Sequence, residues 1–295
     1  GNNIILIPPE LSLMRAVYAT DLSDSIETAM SSRVCLECLG RYGITEIHLL
    51  NVTSPNVTTG MPGSDIGKQT KTALERQRRL LEEEGFDVET HVVRGTPHRR
   101  INGLADQIKA DLIIVGSRGK SPLQERFIGG TTRNVARTAS RPLLVQRIAE
   151  DDDHHEVVNE HLFQRVLYAT DFSENAESAF EQFRYLDEAT QEATLLHVRP
   201  PERRSGSPGV EDAEEKLETL AERLREKGIE VTTMVREGEA IEEILAAEAE
   251  VEPTSILMGS RGRSRIRRLL LGSTSESVTA RANCNVLLVP PVGGR

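Results

Sequence analysis

The sequence has no tryptophan, and aromatic residues make up only 3% of its 295 residues. Its three cysteines lack the even number and regular spacing of a disulfide framework, which suits the reducing cytoplasm. Apolar runs such as the one at 4–7 are too short to cross a membrane or to form a signal peptide. We therefore expect a cytoplasmic protein without a membrane anchor.

The chain also lacks an excess of positive charge. It carries 36 basic and 46 acidic residues, a net charge of −10, which argues against general binding to nucleic acid or anionic lipid. No Ser/His/Asp or Cys/His arrangement and no paired general acid and base can be recognised from spacing. No catalytic residue and no protein-held metal site are therefore predicted.

Two common phosphate-binding motifs are missing as well. Gly119-Lys120-Ser121 resembles the end of a P-loop, but Ile114 stands where that motif needs its first glycine. A dinucleotide fingerprint would place glycines after the first strand, where the chain has Ala19, Thr20 and Asp21. A phosphate site would have to be built differently.

What the chain does contain is a duplication. The segment at 17–23 (Val-Tyr-Ala-Thr-Asp-Leu-Ser) recurs at 167–173 (Leu-Tyr-Ala-Thr-Asp-Phe-Ser), and a glycine-rich segment beginning at Gly116 recurs from Gly259. Repetition at this distance indicates two copies of a whole domain. We predict domains at 13–148 and 163–292, joined by an acidic, solvated linker at 149–162.

Strand and helix patterns alternate within each copy. The stretch 112–115 is apolar throughout, as in a parallel strand covered on both faces, whereas Ile101, Leu104 and Ile108 follow helical spacing. Ser23 and Ser173 are expected helix N-caps. In the first copy we expect strands at 15–20, 46–52, 88–93, 111–116 and 142–147, and helices at 24–41, 65–84, 97–109 and 131–139. This α/β pattern predicts a doubly wound, five-stranded parallel sheet in each domain.

Doubly wound sheets bind ligands at the carboxyl ends of their strands, where the strand order reverses. If the first and fourth strands flank that point, Asp21 and Gly116 line one crevice, and Asp171 and Gly259 line the other. Each aspartate could contact a ribose, a base or a phosphate-bound metal. Each could equally be a turn residue before the following serine, and the sequence leaves both interpretations open.

The strongest candidate site is the stretch 258–274. Gly259 and Gly262 are followed, after nine further residues, by Gly272-Ser273 and a helical pattern. Glycines let the backbone approach a ligand closely, and the first amides of a helix attract an anion. The alternative is an ordinary turn and capped helix, but the pattern occurs twice, which favours a phosphate site. Arginines lie at positions 261, 263, 265, 267 and 268.

Two other groups of residues invite a metal or redox interpretation. Cys35 and Cys38 fall inside the predicted helix at 24–41, away from a helix N-terminus, so we expect them to be buried. Cys284 precedes the last strand and is expected to be buried too. His154 and His155 lie beside aspartates in the linker, where solvent exposure is the expected role.

Both copies resemble universal stress protein domains, and the chain is similar to the tandem form of that family. The resemblance rests on Tyr168-Ala169-Thr170-Asp171-Phe172-Ser173, Leu195-Leu196-His197-Val198 and the glycine pattern of 259–273, which ATP-binding members carry. It implies an adenine-nucleotide alpha-hydrolase-like fold with strand order 3-2-1-4-5. It also implies pairing through the last strands, near 143–146 and 286–289, within one chain or in a homodimer.

The resemblance implies ATP or AMP as the ligand, with Mg²⁺ or Mn²⁺ held through the phosphates. In domain 2, the adenosine would contact Ala169, Thr170, Asp171 and Val198. The ribose and phosphates would lie among Met258, Gly259, Arg261, Gly262, Gly272, Ser273 and Thr274. The corresponding residues of domain 1 are Ala19, Thr20, Asp21, Val52, Val115, Gly116, Arg118, Gly119, Gly129, Gly130 and Thr131.

Domain 1 departs from the pattern at one key position. Gly130 replaces Ser273, and Pro122 and Glu125 replace two loop arginines, Arg265 and Arg268. Loss of the serine hydroxyl predicts weaker phosphate binding at site 1 (the domain 1 residues above) than at site 2 (their domain 2 counterparts). The expected function is a nucleotide-binding stress-response regulator. A slow ATPase or nucleotidyl-transfer enzyme, or a scaffold with empty pockets, remains the alternative.

Overall fold

The computed structural model describes residues 14–53, 65–117, 128–151, 154–157, 161–201, 209–262 and 271–291. In the first domain the elements are β1 (Met14–Thr20), α1 (Asp24–Ser31), α2 (Arg33–Tyr42), β2 (Ile44–Thr53), α3 (Asp65–Glu83), β3 (Asp87–Arg94), α4 (Pro97–Gln107), β4 (Leu112–Gly116), α5 (Gly130–Thr138) and β5 (Leu143–Gln146). The connection holds β6 (Ile148–Asp151) and β7 (His154–Val157). The second domain contains β8 (Arg165–Thr170), α6 (Glu174–Phe180), α7 (Phe183–Leu186), β9 (Glu192–Arg199), α8 (Val210–Arg225), β10 (Glu230–Glu237), α9 (Ala240–Val251), β11 (Ser255–Gly259), α10 (Ser273–Arg281) and β12 (Asn285–Val289).

Ten of these strands form one sheet, in the order β10-β9-β8-β11-β12-β5-β4-β1-β2-β3. Each domain therefore has the strand order 3-2-1-4-5, and the fold prediction is confirmed. All neighbours within a domain are parallel, whereas β5 and β12 meet antiparallel, with Leu144 opposite Leu287. Because that junction is antiparallel, the strands of the two domains run in opposite directions. The carboxyl ends of the domain 1 strands therefore lie on the opposite side of the sheet, along the strand direction, from those of domain 2.

Apolar side chains fill both faces of the sheet as two clusters, each with residues from both domains, and the larger of them contains Tyr42 and Phe163. In that larger cluster the Tyr42 hydroxyl donates to Gln182 Oε1 at 2.7 Å. The Tyr42 ring lies 5.9 Å from that of Phe163, centroid to centroid. The domains are thus packed together by α2 and α7 as well as by the sheet. No helix in the described ranges combines the length and apolarity needed to cross a bilayer.

The predicted N-caps are confirmed. Ser23 Oγ accepts a hydrogen bond from Ile26 N at 3.4 Å, and Ser173 Oγ accepts one from Ala176 N at 3.2 Å. These bonds satisfy amides that the first turn of a helix leaves without an internal partner. Both helices therefore begin directly after the aspartate turns that end the first strand of each domain.

The single helix predicted at 24–41 is wrong. It is broken at Ser32, whose backbone is extended and whose Oγ accepts from Cys35 N at 3.3 Å. Cys35 therefore lies in the first turn of α2, contrary to the expected mid-helix position. Its expected burial is confirmed, as is that of Cys38 and Cys284. Burial raises the pKa of the Cys38 thiol, which disfavours a reactive thiolate there.

The connection between the domains also differs from a plain solvated linker. β6 and β7 pair antiparallel as a hairpin, with Ile148 opposite Val157. Ile148 is buried, and both strands approach α1. The acidic composition concealed this hairpin, because charged residues are unusual in strands but are tolerated at exposed edges.

Candidate functional site

Site 2 begins at the turn that follows β8. Thr170 Oγ1 accepts from Phe172 N at 2.9 Å, and Asp171 Oδ1 accepts from Ser173 N at 3.0 Å. Phe172 has a φ of 57°, which places it in the left-handed region. The turn fixes one carboxylate oxygen of Asp171 against the backbone. Asp171 is therefore a turn residue, which is one of the two interpretations that the sequence left open. The hydrogen bond within the turn uses Oδ1 and not the other carboxylate oxygen, Oδ2.

That other oxygen faces the glycine loop. A Cβ atom at Gly262 would lie 2.9 Å from Asp171 Oδ2, so any larger residue at this position would displace the carboxylate. The ends of the first and fourth strands of domain 2 thus meet, as the strand-order argument predicts. Asp171 Oδ2 and the backbone of Gly262 therefore lie close together at the carboxyl end of the domain 2 strands.

The start of α10 lies against the same glycine loop. Gly272 N donates to Ser260 O at 2.8 Å, and a Cβ at Gly272 would lie 3.7 Å from Gly262 N. The Ser275 hydroxyl donates to Gly259 O at 2.8 Å and ties the helix to β11. Gly272 occupies the N-cap position without a capping side chain. The first amides of α10, at Ser273 and Thr274, have no acceptor within the helix, so this end of α10 has the donors that an anion would need.

Asn175 is a site residue that the sequence analysis missed. It is buried, its Nδ2 donates to Val289 O at 2.9 Å, and its Oδ1 accepts from Arg261 N at 2.8 Å. A Cβ at Gly259 would lie 2.8 Å from Asn175 Oδ1. The Asn175 side-chain amide therefore links the glycine loop, at Arg261, to the end of β12, at Val289. Its counterpart in the duplication is Ser25, so the comparison of the two copies gave no signal for it.

The floor of site 2 is apolar. Ala169 and Met258 are buried at the ends of β8 and β11, and Val198 is half-buried on β9. His197 Nδ1 donates to Thr170 O at 2.8 Å, and its ring lies 4.5 Å from that of Phe172. The histidine thereby holds the end of β8 beside β9, and Ala169, Met258 and Val198 belong to the same apolar cluster.

Tyr168 supports the site from inside the domain. Its hydroxyl donates to Ala176 O at 2.7 Å, which joins β8 to α6. Burial raises the pKa of the Tyr168 hydroxyl far above its usual value, despite a hydrogen bond that lowers it. Tyr168 is therefore a neutral packing group and does not act as a proton donor or acceptor to a ligand near neutral pH.

The described part of site 1 repeats the aspartate turn and the helix start of site 2 at the carboxyl ends of the domain 1 strands. Thr20 Oγ1 accepts from Leu22 N and Asp21 Oδ1 accepts from Ser23 N, both at 3.0 Å. Gly129 N donates to Ser117 O at 3.0 Å. The other predicted residues occupy equivalent positions: Ala19 on β1, Val52 on β2, Val115 and Gly116 on β4, and Gly130 and Thr131 at the start of α5.

Two side chains distinguish site 1 from site 2. The Thr20 hydroxyl donates to Oε1 of Gln77, a fully buried residue of α3, at 2.8 Å. Asn51 Nδ2 donates to Thr20 O at 3.0 Å, in the place of His197. The end of β1 is thus held by amide side chains, and Gln77 was not identified from the sequence.

The predicted difference at Gly130 can be compared directly. Gly130 and Ser273 each occupy the first position of their helices. Among the residues that the structure describes, none has an atom within 4 Å of a Cβ built at Gly130. Site 1 therefore lacks the hydroxyl because its residue is glycine, and the described surroundings of Gly130 leave space for a serine side chain.

Several predicted residues lie outside the described ranges. They include two residues assigned to site 1, together with the loop positions that distinguish the two copies: Arg118, Gly119, Pro122, Glu125, Arg263, Arg265, Arg267 and Arg268. The geometry above rests on the remaining residues alone.

Comparison with known proteins bears on both domains. A model described as the Universal stress protein family matches residues 14–147 and 162–290. A universal stress protein of Methanocaldococcus jannaschii is 29% identical over 150 residues, covering 44% of this chain and 93% of that protein. One from Thermus aquaticus is 34% identical over 137 residues, covering 43% of this chain and 99% of that protein. The crystal structure of a universal stress protein from Archaeoglobus fulgidus is 26% identical, with a TM-score of 0.71, and the match covers 95% of this chain and 98% of that one.

Proposed function

Since the chain belongs to the universal stress protein family, we propose that it binds an adenine nucleotide, ATP or AMP, and acts as a stress-response regulator. The observation that carries the proposal is the meeting of Asp171, Gly262 and the start of α10 at the carboxyl edge of domain 2. An acceptor, a close backbone approach and a helix N-terminus are the groups that recognise a ribose and its phosphates.

The apolar floor supports a place for the base. Adenine would lie against Ala169, Val198 and Met258, beside the end of β8. The ribose would then reach Asp171, whose Oδ2 can accept from a ribose hydroxyl while Oδ1 stays in the turn. This order leaves the phosphates over Gly262, Gly272 and the amides of Ser273 and Thr274.

A metal ion would be held mainly through the phosphates. Of the residues assigned to site 2, Asp171 alone carries a carboxylate. Mg²⁺ is commonly bound by one or two carboxylates together with substrate phosphates, and Mn²⁺ accepts similar oxygen ligands. That Asp171 is the single carboxylate among these residues also supports binding without dedicated hydrolysis. It already accepts from Ser173 N and would also face the ribose, so it is not placed to activate a water molecule.

The antiparallel contact between β5 and β12 supports a further part of the proposal. We propose that the two domains pair in this way in solution, so that one chain forms the complete unit. The outer edges of both fifth strands are then used within the chain. A homodimer, if formed, would have to use another surface.

Asp171→Asn tests nucleotide binding at site 2. Asparagine retains the Oδ1 acceptor for Ser173 N but replaces the second acceptor with a donor. Loss of one hydrogen bond to a charged group costs ~1.5–3 kcal/mol, which predicts roughly 10- to 150-fold weaker binding of AMP or ATP. Isothermal titration calorimetry measures the change, and native mass spectrometry of gently purified protein identifies any co-purified nucleotide.

Asp21→Asn is the matched control, because Asp21 occupies the same turn in site 1. We expect it to leave the tighter binding event unchanged. Wild-type affinity in both variants would contradict the proposed site, and a loss confined to Asp21→Asn would reverse the order of the two sites. ATP turnover above background at saturating nucleotide would favour the enzyme alternative.

Gly130→Ser tests why site 1 should be weaker. In an Asp171→Asn background, the serine should strengthen binding at site 1 by roughly 10- to 150-fold, since a hydroxyl bonded to a charged phosphate is worth ~1.5–3 kcal/mol. The open space at Gly130 predicts that the fold tolerates it. Gly130→Ala adds the carbon without the hydroxyl and should leave the affinity unchanged. Equal affinities for the serine and alanine variants would refute the explanation.

A further inference from the structure

Two histidines and a glutamate meet on β2 and β3 of domain 1, apart from the residues assigned to site 1. His48 Nδ1 lies 2.9 Å from His91 Nε2. Glu89 places Oε2 3.8 Å from His48 Nδ1 and Oε1 3.6 Å from His91 Nε2. One potential ligand atom from each residue thus lies within 4.8 Å of the others. We propose that His48, Glu89 and His91 form a binding site for a divalent transition metal, with Zn²⁺ as the best fit.

The ligand types and spacing favour Zn²⁺. Two imidazole nitrogens and a carboxylate oxygen are a common zinc ligand set, with a fourth position for water. Tetrahedral ligands bound at about 2.0–2.1 Å lie roughly 3.3 Å apart, so the observed separations need only small adjustments. Glu89 is mostly exposed and His91 partly so, which gives an ion access from solvent.

Nε2 of His48, the ring nitrogen that does not face His91, has the kind of hydrogen-bond partner that metal-bound histidines usually have. This nitrogen lies 2.6 Å from Glu46 Oε1, and Glu46 Oε2 is held by Arg15 Nε at 3.1 Å. Because an ionised carboxylate can only accept, Nε2 of His48 donates to Glu46, and Nδ1 is the ring nitrogen that faces His91. A carboxylate that accepts from the other ring nitrogen and so fixes the tautomer is typical of metal-bound histidines.

The duplication provides an internal comparison. His48 is opposite Glu89 in β2 and β3, where the equivalent strands of domain 2 place Thr194 opposite Thr232. Likewise, Leu50 is opposite His91, and Leu196 is opposite Met234. The three ligand positions are therefore occupied by Thr, Thr and Met in domain 2, which forms the same sheet. The fold itself does not require these histidines.

The test is metal binding by the full chain after removal of metal with a chelator. Zn²⁺ affinity is measured by competition with a chromophoric chelator, and Co²⁺ is added to detect the absorption bands of a tetrahedral site. We expect one tight ion per chain and a higher melting temperature with Zn²⁺. His91→Met, which copies domain 2, should abolish the tight site, and Glu46→Gln should weaken it roughly 10- to 100-fold.

Two further variants keep the result decisive. Glu89→Thr changes an exposed side chain and should also weaken binding, so it replaces His91→Met if that variant does not fold. His154→Ala/His155→Ala removes the histidines of the interdomain hairpin and should leave the tight site intact. Absence of tight Zn²⁺ binding in the wild type, or its persistence in His91→Met or Glu89→Thr, would overturn the proposal. Loss only in the hairpin variant would assign the metal to the hairpin instead.

Discussion

Gly262→Val is expected to abolish nucleotide binding at site 2 while domain 2 stays folded. Its Cβ would lie 2.9 Å from Asp171 Oδ2, and the hydrogen bond from Ser173 N to Oδ1 restrains that carboxylate. The valine therefore displaces the carboxylate and fills the crevice. Loss of a ribose contact and a phosphate contact, at ~1.5–3 kcal/mol each, weakens binding roughly 10²- to 10⁴-fold. Calorimetric titration with AMP and ATP measures the loss.

The control lies in the same loop. A Cβ at Gly272 would approach Ser260 O at 3.4 Å, an ordinary contact, so Gly272→Ala should change affinity less than about tenfold. Gly262 is exposed, and thermal unfolding without nucleotide should be nearly unchanged in both variants. Wild-type affinity in Gly262→Val would show that the nucleotide does not enter the crevice between Asp171 and the glycine loop.

The strand order was predictable because its signals are local and occur twice. The apolar run at 112–115, the serine caps and the glycine spacing each reflect one requirement of the backbone or the core. Gly262 shows what such a signal can and cannot predict. A glycine at that position indicates close approach, and the structure shows that the group approached is Asp171.

Asn175 and Gln77 could not be predicted in the same way. Each acts through one side-chain amide on a strand end or loop distant in sequence. Neither position has the same residue type in the other copy, where Ser25 and Leu220 stand. Such contacts depend on how helices lie against the sheet, which residue spacing does not specify.

The break at Ser32 and the pair His48–His91 were missed for related reasons. Helical periodicity continues across Ser32, so the pattern does not reveal that its hydroxyl caps a new helix. His48 and His91 become neighbours only through the register of β2 on β3. A parallel sheet aligns residues that are distant in sequence, and one residue of slip would place them on opposite faces.

The antiparallel junction separates site 1 from site 2. Carboxyl ends of the domain 1 strands lie at one edge of the sheet, and those of domain 2 lie at the other. One ligand therefore cannot bridge site 1 and site 2 across that sheet. Any communication between them would pass through the centre of the sheet, β4-β5-β12-β11, and the core that both domains share.

That centre can be tested with Leu144 and Leu287, which are fully buried and opposite each other in β5 and β12. Each change to alanine should lower the free energy of unfolding by ~2–5 kcal/mol. If the domains pair in solution, the double variant should depart from additivity by ~0.5–3 kcal/mol, because cross-strand partners are in contact. Urea unfolding followed by circular dichroism provides the four free energies.

The reference cycle combines Leu144→Ala with Leu217→Ala, which is buried on α8 beside β10 at the far end of the sheet. Strands lie about 4.8 Å apart, so this pair is well beyond contact and its effects should add within ~0.5 kcal/mol. Additivity in both cycles, with two separate unfolding transitions, would contradict domain pairing through β5 and β12. Coupling in the first cycle alone would mean that the two domains unfold as one unit, because the sheet junction that separates site 1 from site 2 also joins their cores.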